Sequence, residues 1–233
     1  MRQVPAQLDV GRCGRESAES SKGGTVGSDT SQHWESVYSS RDHRLFRWHQ
    51  PVPDLSLELI QQATADIDAP IIDIGGGASL LVDELDGLGY NDLTITDLSS
   101  RALTITQDRL GSRSDSVTWV HGDVTEQRFE RTYQVWHDRA VFHFLTEAER
   151  VARYLDRMTQ AVDIGGHAVI ATFALDGPDS CSGLPVHRYG PETLQQTIGS
   201  AFEAVRFVHE SHLTPDGVTQ EFTYGLFERR SGA

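Results

Sequence analysis

A chain of 233 residues can bury one substantial hydrophobic core, so we expect a single domain. Its net charge of -14, from 34 acidic and 20 basic residues, argues against a nucleic-acid or membrane partner, because both bind basic surfaces. The two cysteines, Cys13 and Cys181, are too few for a disulfide framework or a cysteine-based zinc site, and without an apolar leader or membrane-length run the sequence predicts a cytoplasmic protein.

The N-terminal part of the chain divides into two regions. Residues 1–30 are rich in Gly, Ser and charged side chains and predict a disordered extension, because they offer little apolar surface to bury. Residues 31–233 form the predicted domain. It opens with an aromatic segment, residues 33–50, after which Asp54 is positioned to cap a helix.

The rest of the sequence alternates short apolar runs with longer amphipathic stretches, which is typical of βαβ units. The predicted strands cover 70–74, 93–97, 117–121, 133–137, 167–173, 203–210 and 219–229, and the predicted helices lie near 79–88, 99–110, 146–162 and 191–199. A turn sequence at 214–217 joins the last two strands and predicts an antiparallel hairpin. We therefore expect an α/β fold with a seven-stranded, mainly parallel, doubly wound sheet and a C-terminal antiparallel hairpin.

Three glycines follow the first predicted strand directly. Gly75, Gly76 and Gly77 come after the buried Asp73 and precede a helix near Ser79. Glycine lets a chain turn sharply and approach a ligand where a Cβ would clash. An ordinary βα turn is the competing interpretation, and the acidic residues farther along the chain favour a cofactor site.

Two acidic residues lie at the ends of the next two predicted strands. Asp97 follows the glycines by about twenty residues, where a carboxylate can accept both hydroxyls of a ribose. Asp123 can accept the amino group of an adenine, while Val124 packs on its ring. Together with the glycine loop, these positions describe an adenosine bound across consecutive strand ends.

This arrangement resembles the class I S-adenosylmethionine-dependent methyltransferases over roughly residues 34–229. Asp73, Gly75 and Gly77 match the first motif of that family, whereas Ser79 stands where a third glycine is frequent. The resemblance implies S-adenosylmethionine as the cofactor, with its methionine part on the glycine loop, its ribose on Asp97 and its adenine on Asp123 and Val124. A dehydrogenase is the competitor, but the G-x-G-x-x-G pattern is incomplete and no Tyr-x-x-x-Lys arrangement occurs.

Polar and aromatic residues at the end of the fourth predicted strand are the expected site of chemistry, because ligands of doubly wound sheets collect there. We assign His137 to the cofactor, Asp138, Arg139 and His143 to catalysis, and Phe142 to the substrate. His137 or His143 serves as the base where the acceptor must lose a proton. The alternatives are an ion pair between Asp138 and Arg139 and a core position for His143. The histidine and cysteine spacing predicts no metal site.

Further candidate substrate contacts come from two distant segments. His187, Arg188 and Tyr189 belong to the long loop after the fifth predicted strand, and such loops often close an active site. Trp34 and Trp48 belong to the aromatic segment.

Short motifs at 138–140 and 150–154 resemble the thiopurine and thiol methyltransferase branch of the family. This likeness implies a small acceptor beside Arg139, with the segment 33–50 as a lid. A rival likeness to small lysine methyltransferases gives the two tryptophans and Phe142 the task of holding an amine, and an inactive regulatory subunit is a third interpretation. We predict a methyltransferase acting on a small molecule, a thiol or a carboxylate, with protein lysine N-methylation as the alternative; the sequence does not indicate an oligomeric state.

Overall fold

The computed structural model describes residues 26–232, so most of the predicted N-terminal extension lies outside the described residues. Its helices are α1 (Val26–Ser40), α2 (Asp54–Ala63), α3 (Leu81–Gly87), α4 (Ser100–Leu110), α5 (Ala148–Ala161) and α6 (Pro191–Ile198). Its strands are β1 (Ile71–Ile74), β2 (Leu93–Asp97), β3 (Val117–His121), β4 (Tyr133–Arg139), β5 (Val162–Phe173), β6 (Ser180–Cys181), β7 (Leu184–Pro185), β8 (Phe202–Leu213) and β9 (Thr219–Arg229). No helix in this part of the chain has the length and apolar character to cross a membrane.

Seven of the strands form one sheet in the order β3-β2-β1-β4-β5-β9-β8. The first five strands of this order run parallel, whereas β9 lies antiparallel to β5 and β8 lies antiparallel to β9. The predicted fold class and the predicted C-terminal hairpin are confirmed. The short strands β6 and β7 pair separately, in the loop after β5.

The core lies on both faces of the sheet because side chains alternate along each strand. In β1, Ile71 packs into one cluster with Leu85 of α3, while Ile72 and Ile74 pack into another cluster with Met158 of α5. Helices α2, α3 and α4 cover the first face, and α5 and α6 cover the second.

Several predicted boundaries shift in the structure. Helix α1 begins at Val26, inside the predicted extension. Asp54 does not cap α2: Pro53 takes the N-cap position without a side-chain bond, and Asp54 lies in the first helical turn, where its charge complements the helix dipole. Strand β4 continues through Arg139 because its pairing with β5 extends to Ala171.

Candidate functional site

A cleft of about 250 Å³ opens at the carboxyl ends of the parallel strands. The sheet order reverses between β1 and β4, and the loops that follow these strands diverge at such a point. Four predicted cofactor residues, Gly75, Asp97, Asp123 and Val124, line the cleft, and we call them its floor.

The glycine loop leaves no room for side chains. Gly75 has a φ of +66°, and a Cβ there would lie 2.2 Å from Val141 Cγ2. A Cβ on Gly76 would lie 2.4 Å from Asp73 Oδ2, and one on Gly77 would lie 2.4 Å from Asp97 Oδ2. The loop therefore packs directly on two buried carboxylates.

Asp97 is a nearly buried acid that faces the cleft. The Ser99 N–H donates to its Oδ1 at 2.8 Å. Burial, together with the charges of Asp73 and Glu35, raises the pKa of Asp97 to about 7, although the Ser99 bond acts in the opposite direction. The cleft thus contains a carboxylate that has few partners of its own.

Asp123 is better compensated than Asp97. The N–H and hydroxyl of Thr125 both donate to its Oδ1, and Arg150 donates to its Oδ2 at 2.7 Å. Each carboxylate oxygen can accept more than one hydrogen bond. Asp123 therefore keeps acceptor capacity toward the cleft, which Arg150 also lines.

Arg139 lines the cleft with a guanidinium that the protein holds from several sides. Its Nε donates to Tyr224 Oη at 2.8 Å and its Nη1 to the Trp48 carbonyl at 3.1 Å. Its Nη2 lies 3.9 Å from Glu210 Oε2, and the group stacks over Phe222 at 4.5 Å. Arg139 therefore pairs with Glu210 and not with Asp138, contrary to one sequence alternative.

His137 lies beneath the glycine loop. The imidazole is buried between Asp73 and Ser56, with Nδ1 at 2.7 Å from Asp73 Oδ1 and Nε2 at 2.9 Å from Ser56 Oγ. These partners exclude a role as an accessible base, and they connect His137 to the cofactor loop through Asp73.

The structure turns Asp138 away from the cleft, whereas the sequence predicted that its side chain lines the pocket. Since β4 continues through Arg139, alternation turns Asp138 to the opposite face from His137 and Arg139. There it accepts bonds from Tyr154 Oη and from two backbone N–H groups of the following turn. Burial raises the pKa of Asp138 to about 6. Its geometry is that of a buried cap.

His143 is also displaced from its predicted catalytic position. It is fully buried, and its Nδ1 accepts the Phe173 N–H at 3.3 Å. Burial, together with the charge of Arg139, lowers the pKa of His143 to about 3. The core position that the sequence left open as an alternative matches this geometry.

None of the four loop residues that were predicted to contact the substrate lines the cleft. Phe142 and Tyr189 are buried and stack on each other with ring centroids 5.5 Å apart. His187 and Arg188 are exposed, and Arg188 donates to the Gly177 carbonyl.

Aromatic side chains from three parts of the chain close the cleft instead. Trp34 and Trp48 line it as predicted, together with Tyr38 and Phe144, and we call these four the aromatic cover. Trp34 contacts Phe144 and Trp48 edge to face, at centroid distances of 5.2 and 5.9 Å.

The hairpin of β6 and β7 supplies the remaining wall, with Cys181, Leu184 and Pro185. The sequence signal for Phe144 was its position two residues beyond Phe142, and no pattern pointed to Leu184. A smaller cavity of about 60 Å³ lies next to the glycine loop and shares Tyr38, Trp48 and Arg139 with the cleft.

Within residues 26–232 no three His, Cys, Asp or Glu side chains group closely enough to hold a metal ion. Comparison with protein families matches residues 71–166 to a family described as a methyltransferase domain. That range runs from β1 into β5 and includes the glycine loop, Asp97 and Asp123.

The curated relatives include the eEF1A lysine and N-terminal methyltransferase of Mus musculus, which is 27% identical over 152 residues. The match covers 62% of this chain and 22% of that protein. The Bos taurus protein of the same name is 24% identical over 149 residues, covering 61% and 21%. The chain therefore spans about a fifth of the length of these relatives.

Among solved structures, a SAM-dependent methyltransferase from Anabaena variabilis superposes with a TM-score of 0.70 at 14% identity, covering 92% of this chain and 99% of that chain. The 1,6-didemethyltoxoflavin-N1-methyltransferase of Burkholderia thailandensis gives 0.66 at 15% identity, covering 92% and 95%. Likeness at this identity concerns the fold.

Proposed function

We propose that the chain is a class I S-adenosylmethionine-dependent methyltransferase and that it methylates a small, largely apolar acceptor at a thiol or a carboxylate. The observation that carries this proposal is the position of Arg139, whose side chain lines the cleft together with Trp34, Phe144 and Leu184.

In the proposed seating, the glycine loop approaches the methionine part, Asp97 accepts the ribose hydroxyls, and Asp123 accepts the adenine amino group beside Val124. The absence of space for a Cβ on the loop and the acceptor capacity of both acids support this fit. When bound, the cofactor supplies a methyl carbon made electrophilic by its sulfonium sulfur.

The acceptor surface is proposed to lie between the aromatic cover and the β6–β7 hairpin. Trp34, Phe144 and Leu184 give this surface an apolar character that favours an acceptor with a hydrophobic body. The Cys181 thiol lies within the electrostatic field of Arg139. Burial raises the pKa of Cys181, and the positive charge of Arg139 acts to lower it. An acceptor thiol or carboxyl in this position would be stabilised in its ionised form by the same charge.

The protein's contribution to transfer is then positioning and exclusion of water. Arg139 would orient the ionised sulfur or oxygen of the acceptor and the aromatic cover would exclude water, while the bound cofactor would supply the methyl group. An ionised thiol or carboxylate needs no base at this step. This fits the structure, in which both His137 and His143 are buried in other contacts.

Protein lysine methylation is the second candidate function. The curated relatives are named as lysine and N-terminal methyltransferases, and aromatic side chains can hold an amine. Against it, Arg139 would repel a protonated amine, and the aromatic rings already contact one another edge to face.

Methyl transfer from labelled S-adenosylmethionine into a cell lysate, resolved into small-molecule and protein fractions, tests the acceptor class. We expect label in the small-molecule fraction, and label in protein alone would replace the proposal with the second candidate. With an identified acceptor, Arg139→Lys should lower kcat while leaving cofactor affinity within about threefold, since lysine lacks the planar fork. Arg131→Lys, at an exposed ion pair with Asp92, is the matched control and should behave as wild type.

A further inference from the structure

A chain of buried hydrogen bonds runs from Ser56 to the Asp73 carboxylate beneath the glycine loop. Ser56 Oγ lies 2.9 Å from His137 Nε2, and His137 Nδ1 lies 2.7 Å from Asp73 Oδ1. All three residues are at most 3% exposed.

The direction of the bond to Asp73 is fixed by the carboxylate. A carboxylate only accepts, so His137 must carry a proton on Nδ1 to bond Asp73. The Ser56 hydroxyl holds the other side of the imidazole at Nε2.

We infer that His137 is a positioning residue for the cofactor, which through its Nδ1–H holds the Asp73 carboxylate in place beneath the glycine loop. This role rests on the proposed position of the cofactor and does not depend on the proposed acceptor.

The contact between Asp73 and the loop explains why its placement matters. Asp73 Oδ2 occupies the space where a Cβ of Gly76 would lie, so the carboxylate supports the loop from below. The bond from His137 Nδ1 holds the other carboxylate oxygen, Asp73 Oδ1, and the Ser56 hydroxyl holds the imidazole at Nε2. A shift of Asp73 would move the backbone that faces the cofactor.

Two substitutions of His137 separate its ring nitrogens. In His137→Asn the side-chain amide lies near the position of Nδ1 and can still donate to Asp73. In His137→Gln the amide extends toward the position of Nε2 and Ser56, and the bond to Asp73 is lost. Comparing the cofactor affinities of the two variants distinguishes a hydrogen bond to Asp73 from packing of the side chain alone.

Calorimetric titration with S-adenosylmethionine should show affinity within about threefold of wild type for His137→Asn, and about tenfold or more weaker binding for His137→Gln, as for loss of a bond to a charged group. His209→Gln, at a half-exposed histidine on β8, is the control and should leave affinity unchanged. Equal affinities of the two His137 variants would overturn the inference.

The proton on Nδ1 can be observed without any substitution. In the cofactor-free enzyme, ¹⁵N-resolved NMR of the His137 ring should show a protonated Nδ1 at pH 8. An unprotonated Nδ1 would contradict the inferred bond to Asp73. This measurement decides the question even if the His137 variants fail to fold.

Discussion

The floor and the aromatic cover of the cleft are built in different ways. The floor comes from strand ends in one parallel sheet, and its acids Asp97 and Asp123 are held by bonds from residues at most two positions away or by Arg150. The cover joins residues that are far apart in sequence, such as Trp34 and Phe144, through ring edges. The floor is therefore fixed by the fold itself, whereas the cover depends on the docking of α1 and its neighbours.

Substitutions in the two regions should therefore have different effects. Changes in the floor should reduce cofactor affinity without displacing the rest of the domain, because the sheet holds the domain together. Changes in the cover should reduce transfer to the acceptor more than cofactor binding, because the cover excludes water and completes the acceptor surface.

Asp97→Ala should produce the largest change. We expect S-adenosylmethionine affinity to fall by about 1.5–3 kcal/mol, roughly 10- to 150-fold, because bonds from two ribose hydroxyls to a charged group are lost. Calorimetry on the folded variant measures the change. Unchanged affinity would remove Asp97 from the cofactor site.

Asp97→Asn should raise stability in the cofactor-free protein while it weakens cofactor binding. The folded-state pKa of Asp97 is raised from 3.8 to about 7, so the folded state keeps a proton that the unfolded state releases between these pH values. Stability from this group is thus lost as the pH rises through that window, and the loss is complete above about pH 7. Urea unfolding should show a gain for Asp97→Asn at pH 8, with a ceiling of about 4 kcal/mol, and none near pH 3.5. The same gain at both pH values would contradict the assignment to this charge.

Gly77→Ala tests the packing of the floor. The new Cβ would lie 2.4 Å from Asp97 Oδ2 and 2.8 Å from Ala102 Cβ, so we expect destabilisation by about 1–3 kcal/mol together with weaker cofactor binding. Gly87→Ala is the matched control, because nothing lies within 4 Å of its added Cβ at the end of α3. Thermal unfolding of both variants should separate them, and equal melting temperatures would show that the loop can relax.

Trp34→Ala should act on the cover. It removes ring contacts to Trp48 and Phe144, and we expect kcat/KM for the acceptor to fall by about fivefold to tenfold, near 1 kcal/mol, with cofactor affinity little changed. Trp34→Phe keeps one ring and should retain most of the activity. A larger loss of cofactor affinity than of turnover would place Trp34 in the cofactor site instead.

The sequence was most informative where function depends on short segments. The run from Asp73 to Gly77 begins within β1, Asp97 ends β2 and Asp123 lies two residues beyond β3. Their positions at one edge of the sheet therefore follow from the fold class. The two tryptophans were also identified as lining residues. Their partner Phe144 and the hairpin residue Cys181 meet them only through tertiary packing, which no local pattern reports.

The error at Asp138 has a simple physical origin. The predicted strand stopped at His137, and the two residues that follow were interpreted as a loop that points into the pocket. Because β4 continues for two more residues, alternation keeps Arg139 on the face of His137 and turns Asp138 toward Tyr154. Because the predicted strand ended two residues too early, a buried capping residue was interpreted as a catalytic acid.

A substitution of Glu35 should have the smallest effect on stability, because this residue makes one of the contacts between α1 and the start of α4. Its Oε1 accepts the Ser100 N–H at 2.5 Å, and both oxygens lie near the Arg101 N–H. Partial burial raises the pKa of Glu35, but these bonds outweigh it and lower the pKa below 4.5. The contribution to stability is therefore present above that pH and is lost as the pH falls through the folded-state pKa.

Glu35→Gln keeps the length of the side chain and removes its charge at the helix N-terminus. We expect a loss of about 0.5–1 kcal/mol at pH 7, within the range of helix capping and reduced because the site is partly solvated. The loss should shrink at low pH, once the pH has fallen through the lowered pKa of Glu35 and the wild-type carboxyl is protonated. Glu130→Gln, at an exposed residue before β4, is the control and should show no such dependence on pH. A Glu35→Gln effect that is the same at pH 7 and at low pH would mean that α1 is held on the cleft by its aromatic contacts, with no contribution from this charge.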